Sequence, residues 1–389
     1  APAMFTITTE RVPILVWGDA VDEATLAQVR NLANLPFAFR HVALMPDAHV
    51  GYGMPIGGVL ATVGQVIPHA VGLDIGCGVR AWCTNIPADD LRPRREAVLR
   101  QVQRDVPQGF DWHKASQAHR TDLFGSVPDV PVLRDELHKA ERQVGSLGGG
   151  NHFIEVQQDP DGVAWVMVHT GSRNVGKQMA EHYDHLARDL NRQQGSPVPL
   201  EWGLAHLGTE TPAGQEYLAV MDWCLRFAFE SRRLIAEAVN QALARLFSGA
   251  QPGEQTDVHH NYAAVETHFG REVVVHRKGA VCAVGTVLVP GSMGTASYVA
   301  EGLGNPESFE SCSHGAGRAM GRKAALRALP RERVLAELEA LDIALAKTHK
   351  ADVAEEAPEA YKDIEDVMRW QRDLVRPLVR LTPLGVVKG

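Results

Sequence analysis

Glycine and histidine are unevenly spread along this chain. They crowd into three short, apolar-flanked segments, Met45 to Gly78, Gly145 to Gly176 and His259 to Arg318, with ordinary helical patterns between them. No internal repeat, low-complexity tract or long Ser/Gly linker interrupts the chain, so nothing marks a boundary between domains. The expectation is a single large α+β domain over residues 4–389, in which distant segments meet at a central cleft.

Within that frame the runs Ala164 to Val168, Val273 to His276 and Val281 to Val289 are short, Val-rich and bounded by Gly or Pro, which predicts buried or half-buried strands. Helices are predicted at Glu96 to Val106, Gln178 to Asn191, Gln215 to Phe247 and Arg331 to Lys347. In the longest, Tyr217, Val220, Met221, Cys224, Leu225 and Ala228 recur at spacings of three and four and form one apolar stripe. Cys224 is thereby assigned to the core, and the region of about 201–247 to a helical excursion from the domain.

A hydrophobic share of 45% in 389 residues allows a sizeable core, and a charged share of 22% is ordinary for a globular protein. Apolar runs such as Val163 to Val168 are far too short to cross a bilayer, and the N-terminus lacks the basic-then-apolar order of a secretory signal. A soluble cytoplasmic enzyme with no membrane contact is expected. Ala1, Pro2 and Ala3 ahead of Met4 read as an expression remnant or a trimmed start. Five widely spaced cysteines, an odd number, favour free thiols or metal thiolates over a disulfide framework. The formal net charge of −8 repels a polyanion at long range, so nucleic-acid binding needs a local basic surface. The stretch from Gly315 to Arg333 offers Arg318, Arg322, Lys323, Arg327, Arg331 and Arg333 against Glu332 alone; the other reading is a solvated helix face.

Between Val71 and Gly78, Asp74 and Cys77 lie three positions apart among glycines that let the backbone turn tightly around a ligand. A thiolate is soft and can bridge two ions, a carboxylate suits harder ones, and the mixture fits zinc, manganese or iron. The alternative is a Gly-rich turn with a buried thiol. The segments Gly148 to Glu155 and His169 to Arg173 each carry a histidine flanked by glycine and polar donors. A lone histidine on an apolar segment is more often a satisfied core residue than a ligand. Two segments of one kind weaken that reading, because each buried imidazole needs a partner. His259-His260-Asn261-Tyr262 completes a candidate ligand set of Asp74, Cys77, His152, His169 and His260.

Past Pro290-Gly291-Ser292-Met293-Gly294, the chain reaches Ser313-His314-Gly315-Ala316-Gly317-Arg318 and turns from Gly-rich to Ala/Leu/Arg-rich. That change predicts a helix start whose backbone N–H groups face an anion, with Arg318 one turn on. His314 then sits where a phosphate would lie. It either caps the loop end with Ser313 or acts as a nucleophile toward phosphorus.

The segments Met45 to Gly51, Asp74 to Gly78, Gly150 to Glu155, His169 to Arg173, His260-Asn261, Pro290 to Gly294 and His314 to Arg318 resemble those of the RtcB RNA-splicing ligases. Ala360 to Asp363 and Val387 to Gly389 belong to the same pattern, which runs in order along essentially the whole chain. The resemblance implies the RtcB-like fold and an enzyme that joins an RNA end bearing a 2′,3′-cyclic phosphate or 3′-phosphate to a 5′-hydroxyl end, using GTP and manganese. It implies that His314 is guanylylated. Asp74, Cys77 and His152 would hold one manganese and Cys77, His169 and His260 the second, with the thiolate bridging. GMP would pass from His314 to the RNA 3′-phosphate and leave when the 5′-hydroxyl attacks.

The nucleotide pocket so implied comprises Asp47, Asn151, Phe153, Glu155, Asn261, Ser292, Ser297, Ala316, Gly317, Tyr361 and Lys388. Glu155 would accept from the guanine N1–H and exocyclic amine, a pair adenine lacks. Arg173, Lys278 and Arg318 are candidates for contact with RNA phosphates, so an acidic chain needs basic residues only along the groove. His49, His259, His268 and His276 either orient ligands or simply pack. Cys83, Cys282 and Cys312 match no ligand position. Asn174 stands where glycine is expected, and the stretch from about Gln108 to Asp135 does not align with the pattern. The rival activity is that of a two-metal RNA phosphoesterase or cyclic phosphodiesterase with the same ligands and no covalent histidine. A decayed, non-catalytic RNA-end binder would have lost a member of the ligand set, and none is missing. A monomer is expected, with a dimer the alternative. The choice between tRNA splicing and RNA repair, and the need for an activating protein partner, stay open.

Overall fold

The apolar stripe around Cys224 folds as a helix of 35 residues, Pro212–Leu246. Pro212 stands at its first position and the Thr211 hydroxyl accepts from the Gly214 N–H at 3.1 Å, so the helix start is both preset and capped. The helix is no appendage. Its buried face, including Tyr217, Cys224, Phe227 and Ile235, packs on the strands Gly78–Pro87 and Val163–Thr170 and on the helices Arg95–Asp105 and Arg173–Gln194. Cys224 is fully buried there, as the stripe predicts.

The computed structural model describes residues 4–348 and 351–389. Two mixed sheets dominate, and with the helices around them they make an α+β fold. A six-stranded sheet runs Met4–Ile7, Ile14–Trp17, Ala38–His49, Ile56–Thr62, Arg271–Lys278, Asn261–His268. An eight-stranded sheet runs Pro252–His259, Gly78–Pro87, Val163–Thr170, Phe153–Gln158, Val375–Lys388, Ser297–Leu303, Val284–Val289, with Ala344–Lys347 beside Val375–Lys388. One apolar core joins residues of both, among them Trp17, Val59 and Val275 from the first and Val287 and Ala300 from the second. The chain steps between the sheets at His260, the single residue between the strands Pro252–His259 and Asn261–His268.

A buried charge network ties the long helix to this seam. Arg232 on the helix is fully buried and grips Asp257 with two nitrogens, at 2.9 and 2.8 Å, while Arg80 approaches the same carboxylate at 2.9 Å. The remaining Arg232 nitrogen donates to the carbonyls of Gly76 and Thr170 at 2.9 and 3.0 Å. Those carbonyls neighbour Cys77 and His169.

Three local expectations are corrected. The helix predicted to run to Lys347 ends at Ala340; Asp342 adopts a left-handed φ of 56° beside Arg92 and Arg95, and Ala344–Lys347 adds a parallel strand to the sheet. The run Val281 to Val289 is two strands, because Ala280–Cys282 pairs with Ser311–Ser313 whereas Val284–Val289 pairs with Ser297–Leu303. The helix expected just after His314 begins only at Arg322. Gly315 to Gly321 form a loop instead, so no helix N-terminus faces His314.

Asp257→Ala leaves two buried guanidinium groups without their shared carboxylate and is expected to lower stability by about 3–5 kcal/mol. Urea denaturation of the variant and the wild type measures it; a loss under about 1 kcal/mol, typical of an exposed pair, contradicts the role given to this network.

Candidate metal centre and nucleotide pocket

Sheet register brings the predicted ligands together. Gly78 pairs with Thr170 and Val79 with His169, so the Cys77 turn lies across from His169; Phe153 also pairs with His169, which places His152 at the same end of the sheet. His260 joins them through its N–H, which donates to the Cys77 carbonyl at 2.8 Å. The Cys77 Sγ stands 3.5 Å from His152 Nε2 and 3.2 Å from His169 Nε2. Asp74 Oδ2 is 3.0 Å from His152 Nε2. The His260 ring centroid lies 5.2 Å from that of His169 and 4.7 Å from that of His314.

The electrostatics suit a cation. Burial opposes ionisation of Asp74, but the hydrogen bond and charge of His152 outweigh it and hold the carboxyl at about 2. Burial and then the Asp74 charge push the Cys77 thiol well up, while burial and neighbouring imidazoles keep His169 and His260 neutral, their lone pairs free to ligate. His152 is oriented from behind: its Nδ1 lies 3.0 Å from the Leu147 carbonyl, which selects the Nδ1–H tautomer and leaves Nε2 as a ligand atom. The buried Nδ1 of His260 has no hydrogen-bond partner. An orphaned imidazole nitrogen, a buried thiol and a low-pKa carboxylate within one cluster are a donor set that a divalent ion would satisfy.

Beside this centre His314 follows the short strand Ser311–Ser313. Its Nδ1 is 2.6 Å from Asp47 Oδ2, and its backbone N–H donates to the same oxygen at 3.1 Å. Asp47 is fully buried on the strand Ala38–His49. Lys362 flanks it by donating to the carbonyls of Pro46 and Ala48. Gly317 closes over this arrangement at φ +77°, where a Cβ would come within 2.0 Å of the Asp47 carbonyl oxygen. With Nδ1–H committed to Asp47, the lone pair of His314 resides on Nε2.

His314 opens into a pocket lined by Asn151, Phe153, Glu155, Ser292, Ala316, Gly317, Tyr361 and Lys388, eight residues placed in it by the sequence. Three others fall outside. Asp47 serves His314, Asn261 donates to the Asp74 carbonyl at 3.0 Å and accepts from the Gly279 N–H at 2.9 Å, and the Ser297 hydroxyl accepts from the Gly291 N–H at 3.0 Å. Asn261 and Ser297 therefore shape the loops around the pocket. Burial raises Glu155 to about 8 against the opposing influence of Gln157 and Lys388. Glu356 and Arg322 also line the pocket, and sequence reasoning missed both. Glu356 sits in an acidic stretch that reads as solvated surface, yet it is buried and bonded to Arg318 and Tyr361.

The three basic candidates differ in what they face. Arg173 is half-buried next to Asp74 in an adjoining cavity. Arg318 lines the pocket beside His314, with its guanidinium on Glu356 and the carbonyls of Met320 and Glu355. Lys278 is buried, donating to the carbonyls of Tyr52 and His69 at 2.6 and 3.0 Å. Such bonds tie loops together, and Lys278 lines neither the pocket beside His314 nor the cavity that holds Arg173. His276 likewise packs, between the Leu60 carbonyl and the Ile67 N–H, and His268 pairs with Glu266. Asn174 donates to Glu136 at 2.9 Å.

Comparison with known proteins supports an RNA ligase. A family model described as tRNA-splicing ligase RtcB matches residues 28–130 and 120–389. The chain is 37% identical to the RNA-splicing ligase RtcB of Escherichia coli K12, over 98% of this chain and 99% of that one. It is 38% identical to the RNA-splicing ligase RtcB of Mycobacterium tuberculosis, over 93% and 100%, and 34% identical to the tRNA-splicing ligase RtcB of Thermococcus kodakarensis, over 97% and 95%. The chain belongs to the RtcB family. Among the described residues no helix is long and apolar enough to cross a membrane.

The raised pKa of Glu155 has a measurable consequence. The unfolded chain loses this proton near 4.5 and the folded protein near 8, so folded stability falls as pH rises through that window. Glu155→Gln removes the slope. In thermal denaturation without nucleotide, the variant's Tm is expected to gain on the wild type between about pH 5 and 8; a constant difference contradicts the assignment.

Proposed function

We propose that this chain seals RNA ends bearing a 2′,3′-cyclic phosphate or 3′-phosphate to 5′-hydroxyl ends, with GTP as the GMP donor and two manganese ions as cofactors. The observation that carries the reading is His314, bonded through Nδ1 to buried Asp47 between the thiol–imidazole cluster and a pocket floored by Glu155. Asp47 keeps the Nε2 lone pair available, and stabilises the positive charge that the ring gains when Nε2 bonds to phosphorus. The bond from the α-phosphorus of GTP to pyrophosphate breaks in that step. A 2′,3′-cyclic phosphate is first opened by water, which breaks the bond to O2′ and leaves a 3′-phosphate. An oxygen of the RNA 3′-phosphate then takes the guanylate from His314, and attack by the 5′-hydroxyl on that activated phosphate releases GMP.

Asp74, Cys77, His152, His169 and His260 would hold the manganese ions, with Cys77 bridging, and these would neutralise phosphate charge at the reacting centre. Glu155 would accept from guanine N1–H and the exocyclic amine. Those donors favour the carboxylate, so guanine binding draws Glu155 back to its ionised form. Phe153, with the Lys388 ammonium 5.8 Å from its ring centroid, would pack on the base, and Arg318 and Arg173 would meet phosphates. The proposed location is the cytoplasm, and the proposed unit is one domain over residues 4–389.

Incubation with GTP labelled at the α-phosphate and manganese tests the covalent step. The wild type is expected to take up acid-labile, alkali-stable label and to join RNA, and His314→Ala to do neither. Joining that persists without label would instead support a route without a covalent histidine. Cys77→Ala should lose both activities, roughly a thousandfold or more for a group central to catalysis, whereas Cys224→Ala stays within about twofold of the wild type; equal effects contradict the bridging role.

A further inference from the structure

Next to the proposed metal ligands lies a second cavity, of about 550 Å³, that the nucleotide reading leaves without an occupant. Asp74, Lys139 and Arg173 are among its half-buried members; the exposed Phe110, Asp111, Trp112 and Lys177 also line it. Phe110 is fully exposed and Trp112 is 41% exposed. One aromatic ring in water is ordinary. Two on alternate residues, in one cavity with three cations, call for a ligand.

The loop that carries these rings is well anchored. Gly109 N–H donates to the Gly148 carbonyl at 3.0 Å, Leu147 N–H to the Pro107 carbonyl at 2.8 Å, and His113 N–H to the Arg142 carbonyl at 3.0 Å. The His113 ring adds a contact of 3.1 Å to the Gly145 carbonyl. These bonds fix the loop backbone against the segment that leads into Asn151 and His152. Phe110 is thus held in solvent by an ordered backbone.

Arg173 supplies the anion-binding end. It adopts a left-handed φ of 57° at the first position of its helix, a conformation that costs a non-glycine residue energy and marks functional positions. Its guanidinium packs on Gly148, where any Cβ would come within 2.0 Å of Nη1. Its one hydrogen bond is a long contact of 3.4 Å to the Ser146 hydroxyl, and among the described residues it makes no salt bridge. Lys177 pairs with Glu181 at 3.8 Å, an exposed contact that a phosphate can displace, and Lys139 with Glu136 at 3.3 Å in a part-buried pair.

Cations beside two exposed aromatic rings suit a single-stranded nucleic acid, because every base offers a π-face and every link a phosphate. We propose that Phe110 and Trp112 form a stacking platform for the last unpaired bases of the RNA strand whose terminal phosphate lies at Arg173 beside Asp74. The proposal rests on the RNA-joining reading of this centre. Both aromatics are positioning residues: they fix the direction from which the end enters, so a frayed end is preferred to a blunt duplex.

The test uses the whole protein with manganese and a ten-nucleotide single-stranded RNA that bears a 3′-phosphate and 2-aminopurine as its last base. Binding to the wild type is expected to quench the 2-aminopurine emission. Phe110→Ala and Trp112→Ala should each lose most of the quench and weaken binding about tenfold, with Phe110→Trp restoring both and Phe110→Leu restoring neither. Uptake of label from GTP should stay within about twofold of the wild type in all of them, since none of these side chains lines the nucleotide pocket. Unchanged RNA affinity and quench in the alanine variants overturn the platform and leave the rings to another role, such as protein contact. Parallel loss of labelling and RNA binding overturns it as well, by showing a structural role. A wild type that quenches the RNA but takes no label sinks the covalent ligase reading while the platform stands.

Discussion

The Asp257 carboxylate, shared by Arg80 and Arg232, is the interaction on which the rest of the structure leans. A guanidinium with no exposed surface is costly to bury unless its charge and donors are matched. Here the match spans three elements: the long helix supplies Arg232, one strand supplies Asp257 and its neighbour supplies Arg80. The donors that remain on Arg232 reach the carbonyls of Gly76 and Thr170. Those two carbonyls neighbour Cys77 and His169, so one buried cation sets the spacing of two of the proposed metal ligands. Helix, sheet and site are therefore a single energetic unit, and the long helix acts as the backstop of the cleft.

The same economy of charge runs through the cleft. Lys388 pairs with Glu356, and Glu356 also meets Arg318 and Tyr361. Of the basic stretch after Gly315, Arg318 is drawn inward and paired with Glu356, while Arg322, Lys323, Arg327, Arg331 and Arg333 stay exposed. A chain with a net charge of −8 can then offer positive groups to phosphates where a few remain uncompensated. Arg173 is the clearest of these. Burial without a full set of partners keeps its guanidinium reactive toward an anion, whereas Lys278, satisfied by two carbonyls, has become part of the scaffold.

His314, the proposed nucleophile, is set in place by distant parts of the chain. Its pairing with Asp47 crosses 267 positions of sequence and depends on the strand Ala38–His49 being docked against the loop that follows Ser311–Ser313. Gly317 permits that docking because a side chain there would strike the Asp47 backbone. A helix N-terminus after His314 would have stabilised an anion by its dipole. The loop found instead sets His314 by hydrogen bonds to Asp47, which fix its tautomer and leave the lone pair on Nε2.

By itself the sequence determined the chemical inventory: the donors Asp74, Cys77, His152, His169 and His260, the histidine at 314, the core role of Cys224 and the helices and strands with clear periodicity. Those are properties of residue type and local spacing, and they survive without coordinates. Only the tertiary structure decided that Asp47 orients His314, that Asn261 and Lys278 brace loops, that Glu356 is buried and that Phe110 and Trp112 share a cavity with Arg173. Each of these is a contact between segments far apart in the chain, set by sheet register and by which carbonyls a buried donor must satisfy. Where a local pattern misled, as after His314 or past Ala340, a strand partner or a loop glycine overrode the propensity of a short segment.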